Sequence, residues 1–159
     1  MWANVEMNRA KVRIERAGVD DIDAVAEMFD LYRQFYDQDP DPVKCRAYIE
    51  KRITRSESVI FVASDAEGEK ALGFTQLYPT FCSVEASRIF VLYDLFVRRE
   101  VRNLGVGRQL MKQAELHARS AGASRLQLET HHTNRNAQHL YESLGYKKDE
   151  EFFTYALAL

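Results

Sequence analysis

Arg102-Asn103-Leu104-Gly105-Val106-Gly107 is the most informative segment of the chain. It lies between an apolar run, Arg88 to Val97, and an amphipathic stretch that starts near Val106. Glycines permit left-handed backbone angles and close approach. Successive amides in such a loop can therefore converge on an anion, while the N-terminus of the following helix adds its partial positive charge. The surroundings are basic, with Arg98, Arg99, Arg102, Arg108 and Lys112 set against Glu100. A P-loop would continue Gly-Lys-Ser/Thr, whereas here Gly107 is followed by Arg108 and Gln109. A dinucleotide fingerprint needs a third glycine where Leu110 stands. The loop predicts a phosphate-bearing ligand of another kind.

Outward from the loop, the hydrophobic pattern predicts a mixed α/β order. Downstream, Val106, Leu110, Ala114, Ala118 and Ala121 form one stripe of a helix that Gly122 ends. Arg125–Thr130 reads as a strand, Asn134–Leu144 as a short helix closed by Gly145, and Phe152–Leu159 as a last strand. Upstream, Arg88–Val97 is nearly continuous in apolar residues, as in a strand buried on both faces. The runs 58–64 and 71–78, joined by Asp65-Ala66-Glu67-Gly68, predict an antiparallel hairpin. Val12 and Ile14 alternate with charges over residues 11–16. Ile22, Val25, Phe29, Tyr32 and Tyr36 recur at helical spacing, and a second helix is expected over 42–54. Pro40, Pro42 and Pro79 are expected in loops. The unit from 88 to 130 is expected to be a right-handed parallel crossover.

With 159 residues, 46% of them hydrophobic, the chain can build one substantial core, so one domain over residues 11–159 is expected after a flexible arm at 1–10. The net charge of −2 argues against a generally basic nucleic-acid binder. Residues Met1 to Ala10 contain no apolar run of the secretory kind, and no segment approaches the roughly 20 apolar residues of a membrane span. Cys45 and Cys82 have no CxxC partner, which predicts reduced, buried thiols and a cytoplasmic protein. His117, His131, His132 and His139 show no second pair at metal-ligand spacing, so no metal is expected.

Arg102-x-x-Gly105-x-Gly107 resembles the acyl-CoA pyrophosphate loop of the GCN5-related N-acetyltransferases, written Arg/Gln-x-x-Gly-x-Gly/Ala. A second stretch, Asn134-x-x-Ala137-x-x-Leu140-Tyr141-x-x-x-Gly145-Tyr146, resembles that family's downstream signature, and Asp94-Leu95-Phe96-Val97 resembles the strand before its loop. The resemblance runs from about Lys11 to Leu159. It implies the fold of that family: a single mixed, mostly antiparallel sheet with a splayed parallel central pair, flanked by helices.

It also implies roles. Backbone groups of Leu95, Phe96 and Val97 would pair with the pantetheine arm of acetyl-CoA, and an amide near Phe96 or Val97 would face the thioester oxygen. Amides of Asn103, Leu104, Gly105, Val106 and Gly107 would hold the pyrophosphate beside Arg102 and Arg108, with Asn134 on the cofactor arm. Tyr141 would protonate the departing thiolate. An alkylammonium has no lone pair near neutral pH, so a base is needed. Asp94, acting through water, is the first candidate, and Glu129 is held in reserve.

Tyr32, Tyr36, Tyr93 and Glu129 are the candidate acceptor-binding residues. Eight acids between residues 18 and 41 (Asp20, Asp21, Asp23, Glu27, Asp30, Asp37, Asp39, Asp41) surround Tyr32, Phe35 and Tyr36, against Arg33. They make a cationic small-molecule amine a plausible acceptor, the bland alternative being a solvated helix face. Peptide acetylation, a non-catalytic acyl-CoA-binding module and nucleic-acid binding through residues 98–112 are the competing readings. The apolar stretch Phe152–Leu159 also offers a strand that would pair across a homodimer.

Overall fold

The alternation around Val12 and Ile14 is realised as a short edge strand, β1 (Arg13–Arg16), with outward charges. The structure, a computed structural model, describes residues 11–159. The arm expected at 1–10 lies outside the described residues. Contacts divide the chain into two units, with the boundary between Glu129 and Thr130.

The first unit holds a five-stranded sheet in the order β1-β2-β3-β4-β5, with β2 Val59–Ser64, β3 Ala71–Cys82, β4 Ser87–Val97 and β5 Arg125–Leu128. Four strands run antiparallel in sequence and β5 joins β4 in parallel, as expected for this fold class. The hairpin turn is fixed by Asp65, whose Oδ1 accepts from the amides of Glu69 (2.8 Å) and Lys70 (3.2 Å). Strand β3 continues four residues beyond the expected Tyr78, through Pro79. Proline is tolerated there because β2 stops at Val59, opposite Leu77, so one side of β3 has become an edge.

Helix α1 (Ile22–Phe35) is preceded by a 3₁₀ turn in which Asp21 Oδ2 accepts from the Gly18 amide at 2.8 Å. Asp41 caps α2 (Pro42–Thr54) by accepting from Lys44 N–H, and Pro42 supplies a pre-set first turn. Val25, Ala26 and Met28 of α1 and Ile49 of α2 pack on Ile60, Val62, Phe74 and Phe96 of the sheet. Phe74 is fully buried, so its truncation to alanine costs about 3–5 kcal/mol. Helix α3 (Val106–Ser120) buries Val106, Leu110, Met111, Ala114 and Ala118. Gly73 of β3 leaves room for the β4 backbone: a Cβ there would stand 2.6 Å from Phe96 O.

The expectation that β4 is continuously buried needs correction. Ring contacts put Phe90 against His117 of α3, but Phe96 against Phe74, which itself meets Tyr32 of α1. Residues 90 and 96 would share a face in a regular strand. The register explains the flip, because Gln76 pairs with Asp94 while Leu77 pairs with Leu92, leaving Tyr93 as an extra, bulged residue. Tyr93 is 66% exposed in the middle of an otherwise covered strand.

Strand β5 ends at Leu128, two residues short of the expected Thr130. Cys45 is buried as expected, but Cys82, at the end of the β3 edge, is only half-buried; both are free thiols. The second unit contains α4 (Arg135–Ser143), capped by Asn134 Oδ1 accepting from Ala137 N–H. The expected last strand, 152–159, is not formed. Its apolar composition suits a strand, but a strand is stable only within a ladder, and no pairing partner is present among the described residues.

Candidate active site

The site grows from the Tyr93 bulge. Parallel pairing between β4 and β5 runs from Ile89↔Arg125 to Leu92↔Leu128 and stops where the bulge begins. Beyond it, residues 93–97 keep β3 on one side only. Arg98 N–H donates to Leu72 O at 2.9 Å, and bonded and non-bonded pairs alternate along an antiparallel ladder. The register therefore turns the Phe96 amide to β3 and the amides of Leu95 and Val97 to the open edge. Arg102 Nε donates to Val97 O at 3.0 Å, which ties the end of this edge to the basic loop.

The loop has the shape its glycines predict. Asn103 (φ 64°) and Gly105 (φ 84°) are left-handed, and Gly105 is the residue before α3. A Cβ at Gly105 would meet open space, so glycine serves the backbone angle there rather than close packing. The Gln109 amide reaches back to Gly105 O at 3.1 Å, which puts the amides of Val106 and Gly107 ahead of the first intrahelical bond. No acid occupies the first turn of α3. Left-handed residues, a helix N-terminus and the Arg102 and Arg108 cations suit a pyrophosphate by their donor set.

Asp94 lies on the other side of the bulge, facing α1. It is 3% exposed, and Gln76 Nε2 donates to its Oδ2. The amide of Gln76 is held in turn by Ser58, whose hydroxyl donates to Gln76 Oε1 at 2.7 Å. The Tyr32 hydroxyl donates to the bulged Tyr93 carbonyl at 3.0 Å and also lies within bonding reach of the Asp94 carboxylate. Burial pushes the Asp94 carboxyl up from 3.8 to about 6, and the bonds from Gln76 and Tyr32 pull it partly back. Burial also raises the Tyr32 phenol, with the Asp94 charge adding to it.

Aromatic rings surround this carboxylate. Tyr32 meets Tyr36 edge-on at 5.1 Å, Tyr78 meets Tyr93 at 5.7 Å, and the Tyr48 and Tyr78 hydroxyls share a hydrogen bond. Arg52 lies over the Tyr48 ring at 4.6 Å and pairs with Glu57. Sequence patterning missed Gln76, Ser58, Tyr48, Tyr78 and Arg52. Only Gln76 carried a signal, as a polar residue inside an apolar strand.

Five of the eight acids of residues 18–41 have structural partners. Asp21 accepts from the Gly18 amide, Asp41 caps α2, Asp23 pairs with Arg46 at 2.8 Å, and Glu27 pairs with Arg98 at 3.1 Å. Asp30 is buried, accepting from Asp41 N–H, Gln34 and Cys45, and the Asp41 amide bond holds its carboxyl below the usual range. The bland reading of that segment fits these contacts. Glu129 is exposed after β5. In the second unit, Asn134 caps α4 and Tyr141 lies on that helix, its ring 6.0 Å from Tyr146. Among the described residues no cluster of three His, Cys, Asp or Glu is placed to hold a metal, and no helix is long and apolar enough to cross a membrane.

Comparison with known proteins agrees with this geometry. The acetyltransferase (GNAT) family matches residues 25–146. The chain is 42% identical over 146 residues to the uncharacterized N-acetyltransferase YhfO of Bacillus subtilis (strain 168), covering 92% of this chain and 97% of that protein. It is 30% identical to a probable acetyltransferase of Haemophilus influenzae, over 87% of this chain and 92% of the other. A crystal structure of a probable acetyltransferase superposes with a TM-score of 0.87 at 39% identity, covering 92% of this chain and 97% of that one. The mixed sheet with its parallel β4–β5 pair thus has its place in a known architecture: this chain belongs to the GNAT acetyltransferases and is an acetyl-CoA-dependent acyltransferase.

Proposed function

We propose that the chain acetylates a primary amine of a small molecule, an amine, polyamine or amino-acid-like compound, by direct attack in a ternary complex. One observation carries this reading: a buried carboxylate, Asp94, stands at the bulge that opens the sheet, with its pKa raised into the range of a general base. Acetyl-CoA supplies the activated acyl thioester. The open-edge amides of Leu95 and Val97 bind its pantetheine arm as an added strand would, with Asn134 on the same arm. The Val97 amide is the donor for negative charge developing on the thioester oxygen. The amides of Asn103, Leu104, Gly105, Val106 and Gly107 hold the pyrophosphate, and Arg102 and Arg108 supply countercharge.

Asp94 removes the acceptor proton, Glu129 or water being the reserve, and Tyr141 returns a proton to the departing thiolate by its place in the second signature. Tyr32, Tyr36 and Tyr93 wall the acceptor. Their ring faces favour a cation, and the ionised Asp94 above pH 6 adds to that preference. Residues 11–159 act as one catalytic domain in this reading, and the free thiols of Cys45 and Cys82 accord with a cytoplasmic location.

A thiol-release screen with acetyl-CoA tests the proposal. Small cationic amines are expected to turn over best, ahead of neutral amines and peptides. Turnover confined to peptides overturns the small-molecule assignment, and no thiol release with any amine overturns catalysis.

A further inference from the structure

The buried position of Asp94 poses a chemical problem. A carboxylate with 3% exposure offers little surface to an incoming ammonium, and Gln76 already occupies its Oδ2. The orientation of Gln76 is not free to change, because Ser58 donates to its Oε1 and so turns the amide NH₂ toward Asp94. A group between Asp94 and the acceptor is required.

We propose that Tyr32 is that group: its half-buried hydroxyl relays the acceptor's proton to Asp94. The phenol has one proton and two acceptors within reach, the Tyr93 carbonyl of the bulge and the Asp94 carboxylate. Its ring is held by Phe29 at 6.3 Å, Tyr36 at 5.1 Å and Phe74 at 6.4 Å, so the hydroxyl is aimed before any substrate binds. In the step, an N–H bond of the acceptor breaks as its proton passes to Tyr32 Oη, and the Tyr32 O–H proton passes to the Asp94 carboxylate. The nitrogen keeps the electron pair it needs for attack. Tyr32 ends neutral, Asp94 ends protonated, and the proton leaves to solvent by the reverse path.

Because burial keeps the phenol protonated, Tyr32 acts as a relay and not as a base in its own right. The charged and titratable groups around the pair are Tyr36 of α1, Tyr48 and Arg52 of α2, and Tyr78 and Tyr93 of the sheet. Gln76 is a positioning residue that acts through Asp94.

This inference rests on the acetyl-transfer reading above, and the experiment separates the two. Tyr32→Phe, Asp94→Asn and the double variant of the full chain are assayed by thiol release with acetyl-CoA and the best amine of the screen. Acetyl-CoA affinity and thermal unfolding are followed alongside. Tyr32→Phe preserves the ring packing and loses the bond to the Tyr93 carbonyl, so an unfolding temperature lower by only a few degrees and an unchanged acetyl-CoA affinity are expected. Its kcat should fall about 10²- to 10⁴-fold, the range of acid–base catalysis. Two residues on one relay are not additive, so the double variant should be no slower than the slower single one. The wild-type rate in H₂O/D₂O mixtures should curve, as two protons move together, and should straighten in Tyr32→Phe. Full turnover by Tyr32→Phe, multiplying penalties, or a straight wild-type plot overturns the relay alone. A wild-type chain that releases no thiol with any amine overturns the acetyl-transfer reading and the relay with it.

Discussion

Asp94→Asn should make the protein more stable while it removes turnover. In the folded chain the Asp94 carboxyl is raised from 3.8 to about 6 by burial. At about 1.4 kcal/mol per unit, ionised Asp94 costs the fold about 3 kcal/mol. Between those two pKa values the folded state binds more protons than the unfolded one, so stability falls as pH rises from about 4 to about 6 and then levels. Below pH 4 the carboxyl is neutral in both states and the cost is absent. Asparagine carries no charge and can still accept from Gln76, so the variant should lack this slope. At pH 8 it should melt up to about 6–12 °C above the wild type, taking 2–4 °C per kcal/mol for a chain of this size. At pH 4 the two should nearly coincide. Thermal unfolding by circular dichroism across pH 4–8 measures the difference, with thiol release measured at pH 8. Parallel stability curves for the two proteins would show that Asp94 is not held at a cost, and undiminished turnover would show that it is not the base.

Gly105→Arg or Gly107→Glu should abolish acetyl-CoA binding, because the first forces a long side chain onto a left-handed residue and the second brings a negative charge to the phosphate site. Calorimetry giving wild-type affinity would remove the loop from the site. Tyr141→Phe should lower kcat about 10- to 1000-fold with acetyl-CoA affinity nearly unchanged, in keeping with loss of a general acid. Wild-type turnover in that variant would discard the role. Gly73→Ala should destabilise the chain by about 1–3 kcal/mol, since its Cβ would stand 2.6 Å from Phe96 O between β3 and β4. An unchanged denaturant midpoint would mean that the strands shift apart without cost.

The elements that the sequence predicts well are those with a periodic face. Helix α3 follows its Val106–Ala118 stripe, and α1 follows Ile22, Val25, Phe29 and Tyr32 but ends at Phe35, two residues before the expected Asp37, so that Tyr36 lies just past it. The glycine loop is legible because left-handed angles favour few residue types, and Gly105 takes one. Where prediction fails, the deciding contact is remote in sequence. Nothing near Pro79 says that β2 ends at Val59, and so nothing says that β3 can run through a proline. The acids of residues 18–41 look like a charged pocket in one dimension. The partners Arg46 and Arg98, the Gly18 amide that Asp21 takes up and the helix end that Asp41 caps are visible only after folding.

The bulge shows why a catalytic centre is harder to read than a core. Counting by twos along Phe90, Leu92, Asp94 and Phe96 puts Asp94 on the face that Phe90 turns toward α3, away from Gln76 and Tyr32. One extra residue, Tyr93, moves Asp94 to the α1 face, where Gln76 donates to it beside the Tyr32 hydroxyl, and ends the β4–β5 ladder at the same level. A single irregularity therefore sets the base, frees the amides of Leu95 and Val97, and supplies the Tyr93 carbonyl that holds Tyr32. The polar chain Ser58–Gln76–Asp94 satisfies what the bulge buries, since an unpaired carboxylate in that position would cost far more than the roughly 3 kcal/mol estimated for Asp94 in its hydrogen-bonded site. Deleting Tyr93 would restore the regular strand with Asp94 still paired to Gln76, but it would remove the carbonyl that holds Tyr32 and the irregularity at which the β4–β5 ladder ends. Binding and proton transfer in this fold depend on one local departure from the β-strand's period of two.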